Sequence, residues 1–393
     1  MMDRKYELNR NNKVIPMVMV AIGIVAITVG FMTDKTRAWA VLLHNNFYFM
    51  AISLCGTFFM AFNYVAQAGW SVAIKRVPEA MGGFLKYAMV GMILIFLFGH
   101  HDLYYWTHEE YYDPSNPHYD HILAGKSGFL NIPFFLIRLL LYSVIWVGFT
   151  YVLRRQSLLE DQEGGLAHYK KSITLSAVFL VLFAITSSTS AWDILMSIDA
   201  HWFSTLFGWY TFIGLFVSGM AMMCLIILYL RSRGYMENVT ENHLHDIGKF
   251  MFAFSIFWTY LWFSQFMLIW YANLPEEVVY YQVRWNYFRT LWVVNLLINF
   301  CAPFLVLMTR DSKRQSRILW IGGIIILAGH WLDVYVMVMP GTVGANWQIG
   351  FIEIGTMIGF LGLFIFVTLT ELSKAALVPK NHPMLSESLH HNI

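Results

Sequence analysis

The sequence has 393 residues, of which 58% are hydrophobic and 17% aromatic, with only 13% charged and a net charge of +2. Ordinary soluble domains carry roughly 25% charged residues, so a soluble enzyme or a nucleic-acid-binding protein is excluded and an integral membrane protein is indicated. The hydrocarbon core offers no water to backbone groups, so each crossing must be a helix of roughly 20 mainly apolar residues.

Ten segments qualify, over 14–31, 40–66, 84–100, 129–153, 172–190, 205–230, 247–272, 288–308, 317–339 and 350–371. The first is followed by no small-residue cleavage site and is expected to remain as a helix. Landmarks then recur along the chain. Trp39 precedes the second span and Trp202 the sixth, while Lys86 opens the third and Lys249 the seventh, both pairs at an offset of 163. The fourth span ends in RRQS (Arg154 to Ser157) and the eighth in KRQS (Lys313 to Ser316). The fifth runs into Trp192 and Asp193, the ninth carries Trp331 and Asp333. The predicted fold is therefore all-α, with two four-helix bundles as a parallel repeat. A tail and flanking helix occupy 1–38, the bundles 39–200 and 201–340, and a second flanking helix with the C-terminal tail 341–393.

Lys and Arg are unevenly spread. The N-terminal tail and every second loop hold 20 of the 26, the opposite loops 5, and Arg138 lies within a span. Loops rich in these residues stay cytoplasmic, so both termini are expected on that side of a bacterial inner membrane. The cysteines Cys55, Cys224 and Cys301 fall inside spans without metal-ligand spacing. The histidines between His100 and His121 also lack such spacing and read as part of a hydrated external loop. No metal and no haem are expected.

Ionisable groups in hydrocarbon are expensive and tend to mark ion paths. The outward half holds Arg138, Asp193, His330, Asp333 and Glu353, with a hydroxyl run from Thr186 to Ser190. The inward half reads as mostly neutral amides: Asn63, Gln67, Asn295 and Asn299. His330 and Asp333 are three apart and share a helical face, which suits proton exchange near neutral pH. The competing reading is a buried ion pair of Asp333 or Glu353 with Arg138.

Three long motifs add a resemblance. WDILMSIDAHWFSTLFGWY (Trp192 to Tyr210), FSQFMLIWYANLPEE (Phe263 to Glu277) and AGWSVAIKRVPEAM (Ala68 to Met81) together resemble the polysulfide reductase-like, NrfD-type membrane subunits of bacterial alternative complex III, and the smaller of its two such subunits. The resemblance implies ten helices in two bundles within a quinol:electron-acceptor (cytochrome c-type) oxidoreductase. It also implies partner subunits: a larger NrfD-type paralogue, an iron–sulfur subunit and haem c subunits. Asp193, Asp199 and His201 would then stand at the outer mouth as proton-exit or docking groups. The expected function is a cofactor-free, proton-conducting subunit. The alternatives are a quinol-binding subunit using His330 and Asp333, a structural anchor, and a free-standing transporter, which is disfavoured because no span shows paired Gly or Pro interruptions.

Overall fold

The computed structural model describes residues 4–392, and ten of its helical segments are long and apolar enough to cross a membrane. The chain is an all-α integral membrane protein. All ten expected spans are present, most beginning or ending a few residues beyond the apolar runs. Their helices are α1 (Arg10–Thr33), α2 (Lys35–Val65), α3 (Arg76–Gly82) with α4 (Leu85–Leu103), then, after the short α5 (His121–Lys126), α6 (Ile132–Glu163) and α7 (Ala167–Ile194). The second half holds α8 (Leu206–Ser232), α9 (Glu241–Ala272), the exposed connector α10 (Pro275–Tyr287), α11 (Arg289–Leu296) with α12 (Ala302–Leu307), and α13 (Ser316–Thr342). α14 (Phe351–Leu372) and the small tail helix α15 (Leu385–Leu389) close the chain.

Packing closes two rings. α2, α4, α6 and α7 each touch their neighbours in one, and α8, α9, α12 and α13 do so in the other. α2 also lies against α8 and α13, so the two bundles share a seam. That position explains why α2 and α8 are buried nearly all round while α6, α7 and α9 are apolar towards the bilayer and buried on one stripe only.

The flanking helices pair with each other. A Cβ on Gly23 would lie 2.5 Å from the Gly359 Cα, and one on Gly355 2.5 Å from the Ala26 Cβ. Between helices in lipid no hydrophobic effect drives association, and such small-residue contact lets the backbones approach. Both termini lie at one end, tied by a bridge between Lys5 and Ala376 and by the Leu377 N–H donating to the Arg4 carbonyl at 3.1 Å. This is called the terminal end below.

The eighth span departs from a regular helix. Leu297–Cys301 forms a π turn between α11 and α12, and Pro303 follows it. Pro303 supplies no N–H to the ladder, and π turns gather at functional positions. The sequence shows no broken span here because a π turn needs no Gly or Pro pair.

The tail after α14 folds back over the terminal end. Ser388 Oγ accepts from the Ala73 N–H at 3.0 Å and donates to the Trp70 carbonyl at 2.7 Å. His382 sits under this tail, packed on Tyr64 and Tyr169, with Nδ1 accepting from the Met384 N–H at 3.2 Å. Burial, with the nearby Lys75 and Arg76 charges, lowers its pKa to about 3. The released tail would therefore bind a proton first. Docking should be constant above the ordinary histidine value of about 6.5 and weaken as pH falls from there towards 3, by roughly 2 kcal/mol at pH 5. Hydrogen exchange across 380–392 should accelerate between pH 7 and 5, and His382→Gln should reduce that dependence, leaving what His243 and the His391–Asp246 pair contribute.

Candidate functional site

In the first bundle the polar positions form a stripe. On α6 the buried face carries Arg138, Tyr142, Trp146, Thr150, Ser157 and Glu160, spaced by whole turns. On α7 the facing stripe is Ser172, Ser176, Thr186, Ser190 and Asp193, interrupted by Phe179 and Phe183. From Arg138 to Glu160 the α6 stripe rises about 33 Å, which matches a hydrocarbon core of about 30 Å.

At the end away from the termini it closes in an ion pair. Arg138 donates through Nε and Nη2 to the two Asp193 oxygens at 2.8 Å each, and Tyr142 Oη donates to Asp193 at 2.6 Å. The guanidinium lies between the Phe129 and Phe134 rings, 4.0 and 4.2 Å from their centroids. Further in, Trp146 Nε1 donates to Thr186 Oγ1 at 2.9 Å, and Thr150 and Thr57 share a hydroxyl hydrogen bond of 2.6 Å.

At the terminal end the stripe meets a buried charge cluster. Lys75 pairs with Glu160 at 3.1 Å, and Arg76 pairs with Glu79 at 2.5 Å and with Asp161. Ser157 Oγ accepts from Arg76 at 3.0 Å and donates to Glu79 at 2.5 Å. Glu160 Oε1, Tyr64 Oη, Asn63 Oδ1 and the Ser172 and Ser176 hydroxyls are buried without a hydrogen-bond partner. A cavity of about 20 Å³ lies among Asn63, Tyr64, Lys75 and Tyr169, room for a single water.

The second bundle converges on Asp333. Tyr210 Oη donates to one carboxylate oxygen, Asn295 Nδ2 donates to the same oxygen at 2.7 Å, and Trp258 Nε1 donates to the other at 3.0 Å. These donors come from α8, α11 and α9, so all four helices of the bundle meet at one carboxylate. Asn299, on the π turn, extends the line by donating to Asn295 Oδ1 at 2.6 Å. Gly329 leaves room for it, since a Cβ there would meet Asn299 Oδ1 at 2.3 Å. His330 Nδ1 is 3.9 Å from Asp333, and both ring nitrogens are buried without a partner. A second cavity of about 20 Å³ adjoins Asp333, Tyr280, Tyr281 and Arg284. It admits one water, and a quinol ring does not fit between these side chains as they stand.

Several sequence expectations need correction. Arg138 pairs with neither Asp333 nor Glu353, because α7 rather than α13 or α14 faces it across the first bundle. Glu353 instead caps α14 through the Gly350 N–H at 2.8 Å and clasps Arg37 of α2 at 2.7 and 2.8 Å. Asp193 is not at the mouth but buried, 1% exposed. Gln67 is exposed just beyond α2, in a left-handed conformation at φ 51°. Asn295 and Asn299 belong to the Asp333 cluster and not to a separate inward set. The half nearer the termini, expected to be mainly neutral, holds the Lys75, Arg76, Glu79 and Glu160 cluster. Those charges flank apolar runs and so read as loop residues, though the helical spacing of Glu160 with Ser157 and Thr150 is a usable signal.

Asp199 and His201 do stand near the surface at the end opposite the termini. Asp199 meets Arg284 at 3.3 Å, and His201 bridges Asp120 at 2.5 Å and the Tyr105 hydroxyl at 2.6 Å. Partial burial raises the Asp120 pKa, but the Leu123 N–H, His201 and the Ile122 N–H outweigh it, holding the group below its usual range. Among the described residues no group of three or more His, Cys, Asp or Glu is placed to hold a metal ion. The chain matches no protein-family profile and no curated protein.

Proposed function

We propose that this chain is a cofactor-free membrane subunit of a quinol:electron-acceptor oxidoreductase, in which it carries protons through its helix bundles. The observation that carries the proton reading is the polar stripe on α6. It runs the thickness of the hydrocarbon, ends in buried ionisable groups at both sides, and has hydroxyls and an indole between them. An anchor needs none of this, since each buried polar group costs free energy unless it is paired. The quinol:acceptor complex, with its paralogous, iron–sulfur and haem c subunits, rests on the three long motifs alone. So does placement in a bacterial inner membrane. The cytoplasmic side of the termini rests on the Lys and Arg distribution.

In this reading the residues divide the work. Asp193, held by Arg138 and Tyr142, exchanges protons with the surface opposite the termini, Trp146, Thr186, Thr150 and Thr57 orient water between the ends, and Glu160 beside Lys75 receives protons from the terminal side. In the second bundle Asp333 and His330 hold a proton within reach of Asn295, the one-water cavity and Arg284. Quinol binding beside His330 is the weaker reading, because the adjoining space takes one water.

Thr150→Val tests it, since it removes one hydroxyl from the stripe with no change of charge and little change of shape. The full chain, tagged and extracted gently, should bring with it redox subunits and quinol-oxidising activity. In that complex the variant should lower protons released per electron at least twofold while quinol oxidation continues. Absence of redox partners would refute the complex, and an unchanged proton ratio would refute the path.

A further inference from the structure

A third space belongs to neither bundle path. A cleft of about 850 Å³ separates the α1–α14 pair from α2, α8 and α13. Its walls include Ile15, Tyr48, Leu225, Ile324 and Leu361, and they are overwhelmingly apolar. Among the described residues, polar contacts draw these helices together at both ends and not between. At the terminal end Tyr229 Oη donates to Asn12 at 3.1 Å and pairs with Tyr6, while at the other end Arg37 holds Glu353 and Gln348. Protein interiors are close-packed, and a void this large lined by aliphatic side chains favours neither vacuum nor water. Hydrocarbon is the filler that matches it.

The two ends of the cleft differ. Along α14 its lining runs from Ile354 to Leu369, about 22 Å of apolar wall. At the terminal end the lining turns polar, with Asn9, Asn11, Asn12 and Arg233. Arg233 is exposed, stacks 5.5 Å over the Tyr229 ring, and has no carboxylate within ion-pair distance among the described residues. Arg10 and Lys13 flank the same amides in sequence and are exposed. The α1 N-terminus, capped by Asn9, adds its dipole there. An amide-lined mouth with unpaired cations, opening onto a long apolar cleft between membrane helices, has the chemistry of a site for an anionic lipid headgroup and its chains.

We propose that this cleft holds one anionic phospholipid of the surrounding bilayer, with its phosphate at Arg233 and the Asn9–Asn12 turn and its acyl chains between α14 and α13. The bound lipid would complete the packing of the α1–α14 pair. This assignment does not rest on the proton reading.

Native mass spectrometry of the full chain, delipidated in detergent and then given phosphatidylglycerol or phosphatidylcholine, tests it. Phosphatidylglycerol should be retained at least fivefold better and should raise the thermal midpoint. Arg233→Gln, a surface change that leaves the fold intact, should abolish the preference. Ile324→Trp, which narrows the cleft between α13 and α14, should weaken retention of either lipid. Equal retention of the two lipids, a preference that survives Arg233→Gln, or displacement of phosphatidylglycerol by an equimolar isoprenoid quinone would overturn the assignment.

Discussion

Asp193→Asn is expected to be the most damaging conservative change in the chain, costing about 3 to 5 kcal/mol, the penalty for breaking one side of a buried ion pair. The neutral amide would leave the Arg138 guanidinium, 8% exposed, between two phenyl rings with no counter-ion. The amide keeps one accepting oxygen, so either Nη2 or the Nε and Tyr142 side loses its acceptor, and the Phe129 carbonyl, 3.1 Å from Nη1, carries no charge to replace it. Little monodisperse protein should be recovered, and its thermal midpoint should fall sharply. Replacing both charges together, Arg138→Met with Asp193→Leu, removes the orphan cation, and pairs exchanged for packed apolar groups are often neutral in stability. Recovery should return in the double variant while proton release stays low. Restored proton release would reduce the pair to a clasp between α6 and α7.

How far the site was legible follows from what lipid does to sequence signals. The spans were readable because a helix crossing hydrocarbon must be apolar over its whole length. Partner choice was not, because it depends on which helix faces which. His330 and Asp333 share a face by spacing alone, but no spacing says that Tyr210, Trp258 and Asn295 would aim at that face from three other helices. Likewise Arg37 stood in a short loop stretch between two spans, and only the close α1–α14 packing brings Glu353 to it. The terminal-end cluster was missed for a different reason. AGWSVAIKRVPEAM reads as a loop rich in charge, yet Lys75, Arg76 and Glu79 are each at most 6% exposed, because Glu160, Asp161 and the returning tail cover them. A helical-wheel reading of α6 extended past Arg155 would have put Ser157 and Glu160 on the Thr150 face.

Asp333→Asn should behave in the opposite way to Asp193→Asn. Among the described residues no Lys or Arg pairs with Asp333: its partners are a phenol, an indole and an amide, with His330 at 3.9 Å. The substitution therefore strands no buried cation. The new amide nitrogen cannot accept from both sides, so one donor, the Trp258 N–H or the Tyr210–Asn295 side, loses its acceptor. That costs about 1 to 3 kcal/mol, which a ten-helix protein should survive with normal recovery. What is removed is the carboxylate that, with His330 beside it, can take a proton and return it. Relay by a positioned acid or base is worth roughly 100-fold or more, so proton transfer through this bundle should fall by about that factor while quinol oxidation by the intact complex continues. His330→Gln should give a smaller loss if the imidazole is the next station. Normal proton release from well-recovered Asp333→Asn complex would leave the carboxylate as a hub that ties four helices together, with the first bundle as the sole path.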